Sequence, residues 1–381
     1  MQISPIEIAH IEPLIESRFR RAFSSLEEGR TIKGMDTSAR TAVALISGGL
    51  DSMLAAKMML EQGVRVEGLN FFTGFCVEGH THSIRSRNRP PRNNALWVAE
   101  RLGIRLHFVD VVEEYKQVVL NPRHGYGANL NPCIDCKGFM VRRANEWRME
   151  RGHDFIVTGE VIGQRPKSQR RETLPIVVRE SGVGDRLLRP LCAKHLEPTL
   201  PEREGWVDRE RLCDFHGRSR KPQIAMAARF GFDDYAQPAG GCCFLANEHY
   251  SAKLGDLWHG RGRRDYDIDD IMLLKVGRHL RPRPHFKLIV AREEGENRYL
   301  QGYRKRFIHI NIVSHLGPLT LIDGTPGDDD LMLSAKVAAR FSQGRHADRV
   351  QVEIVDLEGI GRTMEVEPLS SDDIPRDWYV G

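Results

Sequence analysis

The stretch 44-ALISGGLDSMLAA-56 runs a short apolar segment straight into Ser47-Gly48-Gly49-Leu50-Asp51-Ser52 and then into helix-forming residues. The apolar run reads as a buried strand and the residues after Ser52 as a helix, so the hexapeptide is a strand-to-helix turn. Backbone N–H groups at such a junction face outward together with the helix N-terminus and make an anion site. Gly48 and Gly49 permit positive φ and close approach of a ligand, while Ser47 and Ser52 add hydroxyl donors. A phosphate group fits this turn. It departs from Gly-x-x-x-x-Gly-Lys-Ser/Thr, because no lysine follows at the required place, and it is not Gly-x-Gly-x-x-Gly either. For a glycine pair alone, the plainer reading is an ordinary turn in which Asp51 and Ser52 cap the helix.

Outward from the turn, strand-like and helix-like runs alternate. TAVALIS (41–47), VRVEGLNFF (64–72), IRLHFVDV (104–111) and HDFIVTGE (153–160) read as strands, with helices in DSMLAAKMMLEQG (51–63) and NNALWVAERLG (93–103). This alternation predicts βαβ units, hence an α/β fold with a doubly wound parallel sheet. Ligands in such sheets bind at the carboxyl ends of the strands, where Ser47, Asn70, Asp110 and Thr158 fall. After about residue 255 the alternation stops. DIMLLKVGRHLR (270–281), HFKLIVARE (285–293), RFIHINIV (306–313) and RVQVEIVDL (349–357) read as strands and LMLSAKVAARFSQG (331–344) as a helix. A smaller α+β domain is therefore expected over 256–381, after a first domain over 39–255 and a helical N-terminal extension over 1–38. The boundary is expected in the Gly/Arg-rich LWHGRGRRDYD.

Composition bounds the function. With 381 residues, 40% hydrophobic and 28% charged, the chain has the make-up of a soluble globular protein with room for two domains. No run of about 18 apolar residues and no secretory-type leader is evident, so the expectation is a cytoplasmic protein that does not engage the membrane. Seven cysteines in a chain of this size point to metal binding or catalysis rather than a disulfide scaffold. The net charge of +4 is unevenly spread: residues 161–230 carry 15 Lys/Arg against 9 Asp/Glu, and 311–381 carry 6 against 13. A basic middle suits a polyanion partner, although a solvated basic face has the same statistics.

SGGLDS at the end of the first strand of a parallel sheet resembles the PP-loop of the N-type ATP pyrophosphatases, whose fold is adenine nucleotide alpha hydrolase-like. The resemblance implies ATP and Mg²⁺, with Ser47, Gly48, Gly49, Asp51 and Ser52 around the phosphates. It also implies adenine near LNFFTG, with Asn70, Thr158 and Gly159 at neighbouring strand ends. The reaction it implies is adenylation of an acceptor with release of pyrophosphate.

Two thiol elements narrow the acceptor. NLNPCIDCKGFM (129–140) holds Cys133 and Cys136, a spacing that lets two thiolates meet one metal or one thiol resolve the other. PAGGCCFL (238–245) adds Cys242 and Cys243 on a Gly-rich turn. Together with TGEVIGQRPKSQ, LLRPLCAKHLEPTLPEREGWVDRERL and GRSRKPQIAMAARFG, these segments resemble the thiouridylase-type PP-loop proteins, similar to the tRNA 2-thiouridylases and 4-thiouridine synthetases. The part after 255 resembles, more weakly, the small RNA-associated domain of NFACT-type proteins.

This resemblance implies tRNA thiolation, with tRNA and a sulfur donor (sulfide or a cysteine desulfurase system) as partners. Sulfur delivery stays open between a persulfide on a cysteine pair and a [4Fe-4S] cluster on Cys133, Cys136 and Cys242; Zn²⁺ also suits such thiolates. Cys243 is an extra beside the family's Gly-Gly-Cys element, and Cys76, Cys192 and Cys213 are assigned to packing. Gln164, Arg165 and Ser168 are expected at the site's rim, with Arg218, Arg220 and Lys221 as contacts to RNA phosphate. Two other classes remain: an ATP-dependent synthetase of a small metabolite with a zinc site, and a non-catalytic RNA binder that keeps the loop as a relic. Oligomeric state is not legible.

Overall fold

A computed structural model describes residues 39–77, 93–235 and 243–381. The expected helix within 1–38 and Cys242 lie outside the described residues. Residues 40–381 pack as one unit.

The first sheet is built from β1 (Thr41–Leu45), β2 (Arg65–Phe72), β3 (Leu106–Asp110), β4 (Phe155–Val157) and β5 (Leu187–Leu188), in the order β3-β2-β1-β4-β5. Every pairing is parallel. Between them run α1 (Leu50–Leu60), α2 (Asn94–Leu102), α3 (Val112–Leu120), α4 (Cys133–Glu150) and α5 (Leu174–Ser181); α6 (Lys221–Arg229) follows β5. Because side chains alternate along a strand, β1 serves two cores at once. Ala42 and Ala44 pack under Met53, Leu54 and Ala227 on one face, and Val43 packs with Val141, Ala144 and Val177 on the other. That is the doubly wound arrangement expected, with β1 central and the chain order reversing between β1 and β4.

Helix α7 (Glu248–Arg261) joins the two halves of this unit. Its Tyr250, Leu254, Leu257 and Trp258 share a core with Phe75, Tyr115 and Phe139 and also with Ile271 and Leu274. Position 255 thus falls inside a helix, and Gly262 closes it in the left-handed region at φ 62°.

The second sheet holds β6 (Arg278–Arg283), β7 (Phe286–Val290), β8 (Ile308–Ile312), β9 (Thr320–Gly324), β10 (Val350–Val355) and β11 (Gly361–Val366). Their order is β11-β10-β8-β9-β7-β6, and all pairings are antiparallel. α9 (Glu294–Gln301) and α10 (Asp328–Arg340) complete this α+β half, α10 burying Ala335, Ala338 and Ala339 against the sheet. DIMLLKVGRHLR departs from the single strand its hydropathy indicates. Its first half completes helix α8 (Ile268–Leu273), started by a capping box between Asp267 and Asp270, and only Arg278 onward is strand. Ile271 and Leu274, three residues apart, face the shared core, which a strand could not achieve. Asp256 of α7 is tied to the sheet by Arg281 (2.8 Å) and by the fully buried Lys287 (3.7 Å), whose ammonium also lies 3.5 Å from Asp323. Among the described residues, no helix is long and apolar enough to cross a membrane.

Candidate nucleotide site and thiol loops

The turn after β1 has the geometry its sequence calls for. Gly48 takes φ +81°, Gly49 is extended, and α1 begins at Leu50. The first N–H groups of α1 have no intrahelical acceptors, so they and the helix dipole point at whatever occupies the turn. Ser52 Oγ donates to the Gly49 carbonyl (2.8 Å) and lies 3.4 Å from Ser47 Oγ, which leaves the exposed Ser47 at the mouth.

Asp51 is held from one side only. Gln164 Nε2 donates to its Oδ2 at 2.6 Å, and Arg220 Nη2 stands 3.7 Å from the same oxygen. The other oxygen, Oδ1, is buried and has no hydrogen-bond partner among the described residues. Behind Gln164 stands Gln223 of α6, fully buried, whose Nε2 donates to Gln164 Oε1 at 3.1 Å. That bond fixes which end of the Gln164 amide faces Asp51. A buried carboxylate oxygen without a donor suits a divalent cation, because Mg²⁺ typically takes one or two carboxylates and completes its shell with phosphate oxygens and water.

Gly159 at the end of β4 packs directly on this turn. A Cβ there would lie 2.4 Å from the Asp51 carbonyl carbon and 2.5 Å from the Ser52 nitrogen. The Thr158 hydroxyl faces Glu160 (3.0 Å) instead of the turn. Glu160 in turn meets Arg189 at 3.1 Å, both nearly fully buried. Burial pushes the Glu160 carboxyl up, yet Arg189, Lys137 and the Thr158 hydroxyl together hold it below the ordinary glutamate value. Asn70 Nδ2 donates to the Ile46 carbonyl at 2.6 Å and so ties the end of β2 to the residue before the turn.

Of the residues expected at the rim, Gln164 and Ser168 are buried, and the Gln164 amide is committed to Asp51. Arg165 is half-buried, and Arg218 and Lys221 are exposed just before and at the start of α6. Arg220 reaches inward to Asp51. Sequence reasoning missed Gln223, Glu160 and Arg189: they carry no local signature, and what makes them matter is packing.

Cys133 opens α4 and Cys136 follows one turn later, so both stand on the same side of a helix start. The loop before them is stitched to both neighbours. Lys167 Nζ donates to the Tyr126 carbonyl (3.0 Å), joining it to the GQRPKSQ segment. Asn129 Nδ2 donates to the Ala246 carbonyl (3.0 Å), joining it to the residues just after Cys243. Among the described residues, no group of three or more His, Cys, Asp or Glu side chains is placed to hold a metal ion, and Cys242 lies outside them. Cys192 and Cys213 behave as packing residues, since burial pushes each thiol up to about 11. Cys76 and Cys243 face each other across an antiparallel bridge.

Residues 37–197 match the family model described as thiamine biosynthesis protein (ThiI). Residues 277–379, which hold the second sheet and α10, match the model described as NFACT protein RNA binding domain. Curated proteins similar to this chain include a tRNA-specific 2-thiouridylase MnmA of Pelobacter propionicus. It is 32% identical over 126 residues, covering 32% of this chain and 33% of the relative. The corresponding protein of Pseudomonas putida is 26% identical over 228 residues, covering 58% and 56%. The chain spans about a third of the length of the first curated relatives it matches. Among solved structures, a 4-thiouridine synthetase–RNA complex with bound ATP gives a TM-score of 0.38 at 23% identity, covering 55% of this chain and 46% of that one.

The contact of Gly159 with the PP-loop is testable. Gly159→Ala should displace the Asp51–Ser52 backbone, costing about 1–3 kcal/mol as overpacking. The expected result is a lowered melting temperature, together with loss of any rise in melting temperature that added ATP produces in the parent. A variant that ATP still stabilises fully would contradict the proximity of Gly159 to the nucleotide.

Proposed function

We propose that the protein is an ATP-dependent tRNA sulfurtransferase that replaces a uracil carbonyl oxygen with sulfur. One juxtaposition carries the reading. The phosphate-type turn with its buried Asp51 oxygen and the loop that leads into the Cys-x-x-Cys helix start are both tied to the 163–169 segment beyond β4, the first through Gln164 and the second through Lys167.

A uracil carbonyl is a poor electrophile with a poor leaving group. Attack of its oxygen on the α-phosphorus of ATP expels pyrophosphate and leaves a uracil–AMP ester. A sulfur nucleophile then adds to the activated carbon, and AMP leaves with the original oxygen. In this scheme the N–H groups of the PP-loop and α1 hold the triphosphate, and Gln164, fixed by Gln223, keeps Asp51 turned toward the phosphates. Mg²⁺, when bound at Asp51 Oδ1, would neutralise charge on the departing pyrophosphate. Cys133 stands at the first position of α4.

Sulfur from sulfide or a cysteine desulfurase system reaches the site in one of two forms. In the first, a persulfide on one thiol is released by attack of another. In the second, a [4Fe-4S] cluster held by Cys133, Cys136 and Cys242 would supply an open iron to present sulfide. Arg165, Arg218 and Lys221 at the rim and the 277–379 domain are the surfaces assigned to tRNA.

The test is anaerobic purification with iron, sulfide and zinc analysis, on the parent protein and on Cys133→Ala, Cys136→Ala and Cys242→Ala, beside tRNA-dependent pyrophosphate release. Iron and sulfide lost in each variant would support the cluster route. A metal-free protein that still releases pyrophosphate with tRNA would leave the persulfide route. Zinc with RNA-independent turnover would overturn the assignment in favour of a small-metabolite synthetase.

A further inference from the structure

Cys243, the extra cysteine of the Gly-Gly-Cys-Cys element, has a counterpart the sequence did not reveal. It forms an antiparallel bridge with Cys76, and the Phe244 N–H donates to the Phe75 carbonyl at 2.9 Å. That bond joins the residues flanking the bridge, so Cys76 and Cys243 are a non-hydrogen-bonded pair, the closer of the two antiparallel registers. Directly opposed Cβ atoms in such pairs lie about 4.5–5.5 Å apart, and a disulfide needs about 3.5–4.5 Å, so a small shift closes the bond. Both residues are half-buried at the edge of the apolar core that contains Phe75, Phe244 and Tyr250.

A lysine completes the group. Lys275, at the end of α8, is buried, with its ammonium 5.0 Å from the Phe244 ring centroid and 3.4 Å from Met272 Sδ. Burial pushes Lys275 down to about 8, and Cys76 and Cys243 are the groups that hold it up against burial. The groups facing Lys275 are thus two thiols, a thioether and a ring.

We propose that Cys76 and Cys243 form a redox-active dithiol site, distinct from Cys133 and Cys136, that low-molecular-weight disulfides oxidise to a cross-strand disulfide. One thiolate attacks the S–S bond of the oxidant and releases one thiol; the partner thiolate attacks the resulting mixed disulfide and releases the second. Two electrons and two protons pass to the oxidant, which ends as two thiols, while a single S–S bond forms in the protein. Reversible disulfides of this kind serve redox sensing where glutathione keeps thiols reduced. The bond would pin Cys243, and with it the peptide joined to Cys242, to the segment that follows β2. Its effect on catalysis rests on the sulfurtransferase reading, whereas formation of the bond does not.

The full-length protein is incubated in glutathione buffers of graded GSSG:GSH ratio, quenched with iodoacetamide, digested and read by mass spectrometry. The expected product is a 76–243 linked peptide pair, with both cysteines protected from alkylation in step and recovered by dithiothreitol. Cys76→Ser, nearly isosteric, should leave Cys243 carrying only glutathione. Cys243 linked instead to Cys242, Cys133 or Cys136, or mixed disulfides alone in the parent, would overturn the proposal whether or not tRNA is thiolated.

Discussion

Asp51→Asn lowers pyrophosphate release by about 10²–10³-fold, the range found when one preorganised charged or donor group is taken from a transition state. The substitution keeps shape and volume and removes the charge. It also presents an amide where Oδ1 now sits buried with no partner. Gln164, which donates to Oδ2 at 2.6 Å, still finds an acceptor if the asparagine turns its oxygen that way. Fold stability should therefore change little, and thermal unfolding separates the two effects. Comparable turnover in the variant and the parent would remove Asp51 from the phosphate site. A variant that also unfolds several degrees lower would mean that the carboxylate serves structure first.

The second large effect lies beneath the site. Glu160→Gln leaves Arg189 buried opposite a neutral amide, and losing one partner of a buried pair costs about 3–5 kcal/mol. Replacing both partners by Leu and Met should recover most of that loss, because well-packed apolar residues remove both desolvation costs together. Denaturant titration of the single and double variants measures the difference; a single variant as stable as the parent would deny the pair its role. The pH dependence has a definite sign. Glu160 sits below its ordinary value in the folded protein, so its stabilisation is present above the unfolded-state value and is lost as pH falls through the folded-state value. The parent should lose stability in acid more steeply than Glu160→Gln, and a parallel pair of curves would contradict this.

The parts of this molecule legible in the sequence are those in which one short stretch carries its own physical reason. SGGLDS could be read as an anion-binding turn because glycine, hydroxyl and helix start all act within six residues. The parallel sheet followed from strand–helix alternation that Ala42 to Ala44 then realise on two faces. Other features were illegible for an equally physical reason. DIMLLKVGRHLR is apolar enough for either a helix or a strand, and only the core it shares with α7 decides for the helix in its first half. Gln164 read as a polar rim residue, since nothing local to GQRPKSQ indicates that Asp51 lies above it and Gln223 behind it. The apposition of Cys76 and Cys243 was out of reach in the same way, because the two are separated by most of the first domain.

Helix α7 contributes Tyr250, Leu254 and Trp258 to a core that also takes residues from both the first sheet's loops and α8, while its Asp256 is clamped by Arg281 and Lys287 of the second sheet. Such a splice ties the two parts together through one helix. On the proposed function, an RNA held by the second half would be presented to the first sheet at one set distance and angle, as by a caliper.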